Sequence, residues 1–267
     1  MVVVKTKEEA GGHNPEMQSG PGTSWNIVTG CNPYSDGCLH CWAKDVAAWQ
    51  GRLRREHYVK NGFNVAVNES RRNWPLSGLP QKPRTPVRSW VTEMGDLFHE
   101  KVPDDFIRGV FGTLQQVPQH RFYVLTKRAE RLAELGANLP WRPWIWAGVT
   151  IESDKYVHRL DLLNKLPPAV NKFVIFEPLL SAISTLEFEG VQWIVVGGET
   201  GKIHRPMEED WVRGIRDQAR AAGIPFLFKH WPGLKHNSRE ALLDGRTWAE
   251  YPETLLTNNV PWMAGDR

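Results

Sequence analysis

Between residues 23 and 231 the chain repeats one pattern: a short run rich in Val, Ile, Phe and Trp, a polar turn, then a segment with helical spacing. Seven runs read as strands, at 24–28, 87–93, 121–125, 144–149, 172–176, 191–196 and 225–229. Helices are predicted at 42–55, 103–116, 129–135, 155–166 and 208–222, the last with Trp211, Val212 and Ile215 spaced to share one face. Strand, helix, strand in steady alternation predicts parallel strands joined by crossover helices, an α/β fold. Pro75, Pro80, Pro83 and Pro86 break the rhythm, so 62–86 reads as a long insertion over the mouth of such a fold. Residues 1–22, rich in Gly, Pro, Ser and Glu, read as a flexible arm, and 232–267 as a polar C-terminal tail.

The composition, 41% hydrophobic and 24% charged over 267 residues, fits a soluble globular protein with one sizeable core. No run of about 18 apolar residues occurs, and the N-terminus lacks the apolar stretch of a signal peptide, so the expectation is a cytoplasmic protein that does not engage a membrane. The formal charge of +3 conceals an asymmetry: residues 44–90 hold ten Lys and Arg against three acids, a local net of +7. Such an excess attracts polyanions, nucleic acid included, although clustered cations more often form a plain solvated face.

Active sites of parallel α/β folds collect on the loops that follow the strands. Here nearly every strand candidate is followed by distinctive polar residues: Thr29 and Gly30; Met94, Gly95, Asp96 and His99; Thr126, Lys127 and Arg128; Thr150 and Glu152; Glu177; Gly197, Gly198 and Glu199; Lys229 and His230. Any one of these is an ordinary cap or loop residue. Their recurrence predicts a shared pocket. Gly197 and Gly198 would admit a ligand close to the backbone or serve a tight turn.

All three cysteines, Cys31, Cys38 and Cys41, fall in the loop after the first strand candidate. An odd group this close together is not a closed disulfide framework, and three thiolates on one short loop suit either zinc or an iron–sulfur cluster. Zinc as a structural ion needs a fourth ligand, with His40 or His57 available. A cubane held by three thiolates leaves one iron open for a substrate or cofactor. The residues alone leave these two readings level.

Several strings go further. Ser24-Trp25-Asn26-Ile27-Val28-Thr29-Gly30-Cys31, Gly37-Cys38 and Cys41-Trp42-Ala43 resemble the phage-associated three-cysteine-motif family of radical-SAM-like proteins, within the wider radical SAM superfamily. So do Met94 with Asp96-Leu97-Phe98-His99-Glu100, Leu125-Thr126-Lys127-Arg128, Phe176-Glu177-Pro178-Leu179-Leu180, Val196-Gly197-Gly198-Glu199-Thr200-Gly201, Arg205-Pro206-Met207 and Phe228-Lys229.

The resemblance implies a partial TIM-type (β/α)6 barrel with parallel strands, spanning 23–231, and a 4Fe-4S cluster on Cys31, Cys38 and Cys41. It implies S-adenosylmethionine bound at the open iron and cleaved reductively to a 5′-deoxyadenosyl radical that abstracts hydrogen from a substrate, with nucleic acid a candidate. An electron donor and a separate three-cysteine-motif partner protein are the implied partners. Met94, Gly95 and Asp96 stand where the cofactor's amino group is met in such barrels. Lys127, Glu177, Gly198, Glu199 and Lys229 are candidates for cofactor or substrate contacts. Two features depart from the usual pattern: a six-residue first gap where three is usual, and His40 where an aromatic often precedes the third cysteine, which leaves Trp42 as the aromatic candidate. The competing readings are a zinc-stabilised nucleic-acid-binding module without turnover and a catalytically inactive barrel serving a partner protein.

Overall fold

A computed structural model describes residues 23–83, 86–201, 203–233 and 241–256. The arm predicted over 1–22 lies outside the described residues, as do the ends of the predicted tail at 234–240 and 257–267.

Seven strands form one parallel sheet: β1 (Thr23–Trp25), β4 (Arg88–Val91), β5 (Arg121–Thr126), β6 (Ile145–Thr150), β7 (Asn171–Phe176), β8 (Val191–Val196) and β9 (Phe226–Phe228), neighbours in that order. Between them run α1 (Trp42–Arg52), α2 (Glu56–Asn61), α3 (Trp74–Gly78), α4 (Asp104–Leu114), α5 (Ala129–Gly136), α6 (His158–Asn164) and α7 (Glu209–Ala221). The connection from β7 to β8 has no helix, as the absence of helical spacing there predicts. Strand order that follows chain order turns each crossover the same way, which curls the sheet. The curl is measurable across the inner face. In a flat sheet, strands three places apart are separated by about 14 Å. Yet Tyr123 of β5 and Trp193 of β8 have ring centroids 6.1 Å apart, as do Trp90 of β4 and Phe173 of β7. The fold is a partial TIM-type α/β barrel.

Alternation along the strands separates two apolar layers. Outward residues such as Val124, Ile145, Val174 and Ile194 pack on the apolar faces of the helices, including Ile107, Val110 and Phe111 of α4 and Val212 and Ile215 of α7. Inward residues Tyr123, Trp146, Phe173 and Trp193 form an aromatic floor inside the curl. One strand candidate splits in two: after β1, Val28–Thr29 (β2) leaves the sheet and pairs antiparallel with Ala66–Val67 (β3). The insertion at 62–86 therefore reaches the mouth only at its start. Its later part runs along the flank, where Trp25 Nε1 donates to the Arg71 carbonyl and Thr113 Oγ1 to Asn73 Oδ1.

The polar tail expected after 231 is packed structure over 241–256. Trp248, Ala249 and Glu250 lie along the open edge of β9, with Phe228 N donating to the Trp248 carbonyl and Glu250 N to that of Phe226. This covers an edge that would otherwise present unpaired backbone groups. Tyr251 then reaches the aromatic floor, 5.6 Å from Trp193, and Leu255 of α8 (Glu253–Leu256) joins it. The signal was a Trp248, Tyr251, Leu255 spacing too short to stand out beside the charged residues around it.

Trp248 is buried against Phe226 and has the guanidinium of Arg246 3.5 Å above its ring. Trp248→Ala is expected to destabilise the protein by about 3–5 kcal/mol, the cost of deleting a large buried aromatic. Denaturant unfolding followed by circular dichroism checks this, and a loss below about 1 kcal/mol would mean that the segment is peripheral.

Candidate active site

At the C-terminal ends of the strands a cavity of about 350 Å³ opens, with all three cysteines on its wall. It also gathers Trp42, Gly95, Asp96, Lys127, Glu177, Gly198, Glu199 and Lys229. Of the strand-end residues singled out in the sequence, Thr29, Gly30, Met94, His99, Glu152, Gly197 and His230 stand outside its lining; Met94 is the one expected at the cofactor. Its side chain is buried with Ala43 and Ala47 of α1 and helps seat that helix.

The cysteine loop begins at Gly30, whose φ of +78° favours glycine and where a Cβ would meet the Asn64 carbonyl oxygen at 2.1 Å. Gly30 N donates to the Met94 carbonyl and Cys31 N to that of Phe63, so the loop leaves the barrel between the β4 end and the insertion. Beyond that, one turn of 3-10 helix at Asp36–Cys38 is its regular structure, and Cys41 caps α1. Its shape is set by side chains from other strand ends.

From the β4 end, His99 bonds Asn32 Oδ1 through Nε2 while its Nδ1 accepts the Lys101 N–H. Burial and then the Arg128 charge lower the pKa of this imidazole, keeping it neutral. From the β5 end comes buried Arg128, with Nη1 3.5 Å from Cys31 Sγ and 3.2 Å from Asp96 Oδ2, and Nε 2.7 Å from Glu100. The Tyr34 ring sits between the guanidinium of Arg128 at 4.8 Å and that of Arg159 at 5.7 Å, and its hydroxyl donates to Glu130. From the β6 end, fully buried Glu152 accepts from Ser35 Oγ at 2.6 Å, Lys127 Nζ at 2.7 Å and Arg159 Nη1 at 2.8 Å. Tyr156 Oη accepts the Asp36 N–H. From the β8 end, Glu199 takes His40 Nδ1 at 3.2 Å and the backbone and guanidinium of Arg205.

Lys127 and Glu199 thus hold the loop, and Asp96 is occupied by Thr126, Arg128 and the Phe98 N–H. Gly198 lines the cavity without a positive φ, and a Cβ there would stand 2.3 Å from the Pro232 nitrogen, so close packing against Pro232 requires glycine.

The opposite wall has its own polar group. Glu177 accepts from Lys229 Nζ at 2.6 Å and from His230 Nε2 at 3.0 Å. Glu93, at the end of the strand predicted over 87–93, lines the cavity here, and burial raises its carboxyl pKa, with Ser24 and Lys229 opposing. Beside it Thr92, a β-branched residue, has a φ of +66°, backbone strain of a kind that clusters at functional sites. Trp90, Leu125 and Ile175 form the apolar depth of the cavity above the aromatic floor.

Three thiols on one wall are a donor set for a soft metal centre. All three thiols are free and share one cavity wall. Among the described residues no three His, Cys, Asp or Glu side chains converge as ligands of one metal ion. A cubane's thiolates bind different irons and need not meet at a point. The two histidines a zinc site would recruit are engaged elsewhere, His40 with Glu199 and His57 with Thr29 and Asn61. Burial pushes the Cys31 thiol up to about 11, partly offset by Arg128.

Glu152 is a fully buried anchor with three partners. Burial alone would raise its carboxyl, but Lys127, Arg159 and the Ser35 hydroxyl outweigh it and hold the pKa below the ordinary value. A depressed carboxylate stabilises the fold above its unfolded pKa, and that contribution is lost as pH falls through the lower folded value. Glu152→Ala, which strands the buried Arg159 charge, is expected to cost about 3–5 kcal/mol near neutral pH, with the difference from the parent shrinking in acid. Urea unfolding across pH measures both; a pH-independent difference would contradict the assignment.

The family model for proteins of unknown function DUF5131 matches residues 21–252. A search for relatives among curated proteins returns no match. Among solved structures, spore photoproduct lyase complexed with dinucleoside spore photoproduct is similar at a TM-score of 0.47 and 11% identity, covering 78% of this chain and 55% of that one. A double mutant of that lyase with bound AdoMet and dinucleoside spore photoproduct gives 0.46 and 11%, covering 74% and 60%. The chain thus spans a little over half the length of these structures. None of these matches names the phage-associated three-cysteine-motif family that the motifs resemble. From residue 21 to residue 252, this chain belongs to the DUF5131 family.

Proposed function

We propose that this chain is a radical SAM enzyme in which Cys31, Cys38 and Cys41 hold a 4Fe-4S cluster. One observation carries the reading: the only three cysteines of the sequence stand on one wall of a cavity at the C-terminal end of a parallel barrel, on a loop that four other strand ends hold in place. When bound, the cluster and S-adenosylmethionine supply the hard chemistry, reductive cleavage at an open iron to a radical that abstracts hydrogen.

The chain's own residues do the rest. Arg128 places a fixed positive charge beside Cys31 Sγ, which favours the thiolate that a metal needs. Gly95 and Trp42, which line the cavity with Cys41, are the residues for the cofactor's amino group and adenine. The apolar depth at Trp90, Leu125 and Ile175 excludes water from a reactive species. Glu177, with its proton donors Lys229 and His230, and Glu93 present hydrogen-bonding groups that orient what enters from that side. No helix among the described residues is long and apolar enough to cross a membrane.

Anaerobic reconstitution with iron and sulfide is expected to load about four of each per chain. Cys→Ala at position 31, 38 or 41 should abolish stable loading. With a strong reductant and S-adenosylmethionine, the loaded protein should release 5′-deoxyadenosine. Stoichiometric zinc with no uptake of iron would overturn the reading.

A further inference from the structure

We propose that α1 and the residue turn before it form a platform for single-stranded nucleic acid, which makes the substrate of the cavity a nucleotide in an unpaired strand. What happens at the cavity rests on the radical-enzyme reading above; binding at the platform does not require a cluster.

Leu39 is 71% exposed, Trp42 38%, Trp49 50% and Leu53 49%. Trp42, Trp49 and Leu53 are spaced by seven and four residues and so share one face of α1, while Ala43 and Ala47 on another face are buried. Single exposed apolar residues need no explanation, but a row of them on one helix does. The two indoles lie about 10 Å apart along the helix, at a rise of about 1.5 Å per residue. Each has a flat surface on which one base can stack. Trp42 also lines the cavity, so the row leads into the site.

Charge selects the occupant. Lys44, Arg52, Arg54, Arg55 and Lys60 are exposed, and none has an ion-pair partner among the described residues. Two other helices carry the opposite pattern. Arg108 on α4 pairs with Asp104 and Asp105, while on α7 Arg213 pairs with Glu209 and Asp210, and Arg216 with Asp217 and Asp244. Cations held by neighbouring acids are a solvated face. Five cations against two acids, Asp45 and Glu56, on the segment that carries two exposed indoles match a chain of phosphates and bases. A neutral apolar partner would use the row but not the cations.

The test is fluorescence anisotropy of a labelled oligothymidine of about twenty nucleotides, titrated with the full chain, iron-free and reconstituted, at several salt concentrations. Both forms should bind, with affinity falling about tenfold or more between about 50 and 200 mM salt as condensed counterions are released. Trp49→Ala should weaken binding by about tenfold, the effect of losing one stacked base. Arg52→Ala with Arg55→Ala should flatten the salt dependence, and all these variants should keep parental iron uptake and circular dichroism. Absence of saturable binding at low salt, or binding that these variants leave unchanged, would overturn the proposal. So would a shift from dimer to monomer in Trp49→Ala during sedimentation without change in oligonucleotide affinity, because the row would then be an interface between two copies. A chain that binds oligonucleotide but takes up no iron sustains the platform and sinks the radical reading; one that takes up iron and ignores oligonucleotide does the reverse.

Discussion

The carboxylate of Glu152, buried and shared by Ser35, Lys127 and Arg159, fixes the cysteine loop from the β6 end as Arg128, on Cys31 and the Asn32 carbonyl, fixes it from the β5 end. A loop with a single 3-10 turn has too few backbone bonds of its own to hold three thiols in place. It borrows order from the barrel instead: His99, Arg128, Glu152 and Glu199 come from four different strand ends, and each grips a different residue of the loop or its cysteine. Buried charge of this kind is costly to create and costlier to break, since removing one partner leaves another unpaired in low dielectric. The consequence is that the position of the loop is set by the barrel.

The barrel supports this by dividing its interior. Tyr123, Trp146, Phe173 and Trp193 close the lower half, and Tyr251 from the C-terminal segment completes the floor. Above them the inward positions become smaller or polar, which leaves the cavity. One wall carries the cysteines and their anchors, the other Glu93, Glu177 and Lys229. The division suits two ligands meeting in the middle, one held by the loop and one by the facing acids and lysine.

Much of this was legible in the sequence. The seven strands follow from runs of β-branched and aromatic residues, because most, β5 to β9, are largely buried on both faces and flanked by polar turns. The cysteine loop and the polar strand ends were visible as composition and position. Less visible was what those polar residues do. Lys127 and Glu199 read equally as ligand contacts or ion pairs, and their partners in space, Glu152 for one and His40 and Arg205 for the other, are not legible from the sequence. Arg159 carried a faint signal, a charge beside Leu160 on the buried side of α6, whereas Tyr34 and Glu130 carried none, being 96 residues apart. The packed segment at 241–256 was missed because edge covering depends on backbone bonds to β9, which leave no periodicity to read.

On the proposed reading the clamped thiols hold a cluster with one iron open to S-adenosylmethionine. Electron paramagnetic resonance of the reduced, reconstituted protein, recorded with and without S-adenosylmethionine, tests it most directly. The account predicts the signal of a reduced 4Fe-4S cluster that changes shape when S-adenosylmethionine is added, because the ligand joins the open iron. A cluster signal that S-adenosylmethionine leaves unaltered would contradict it.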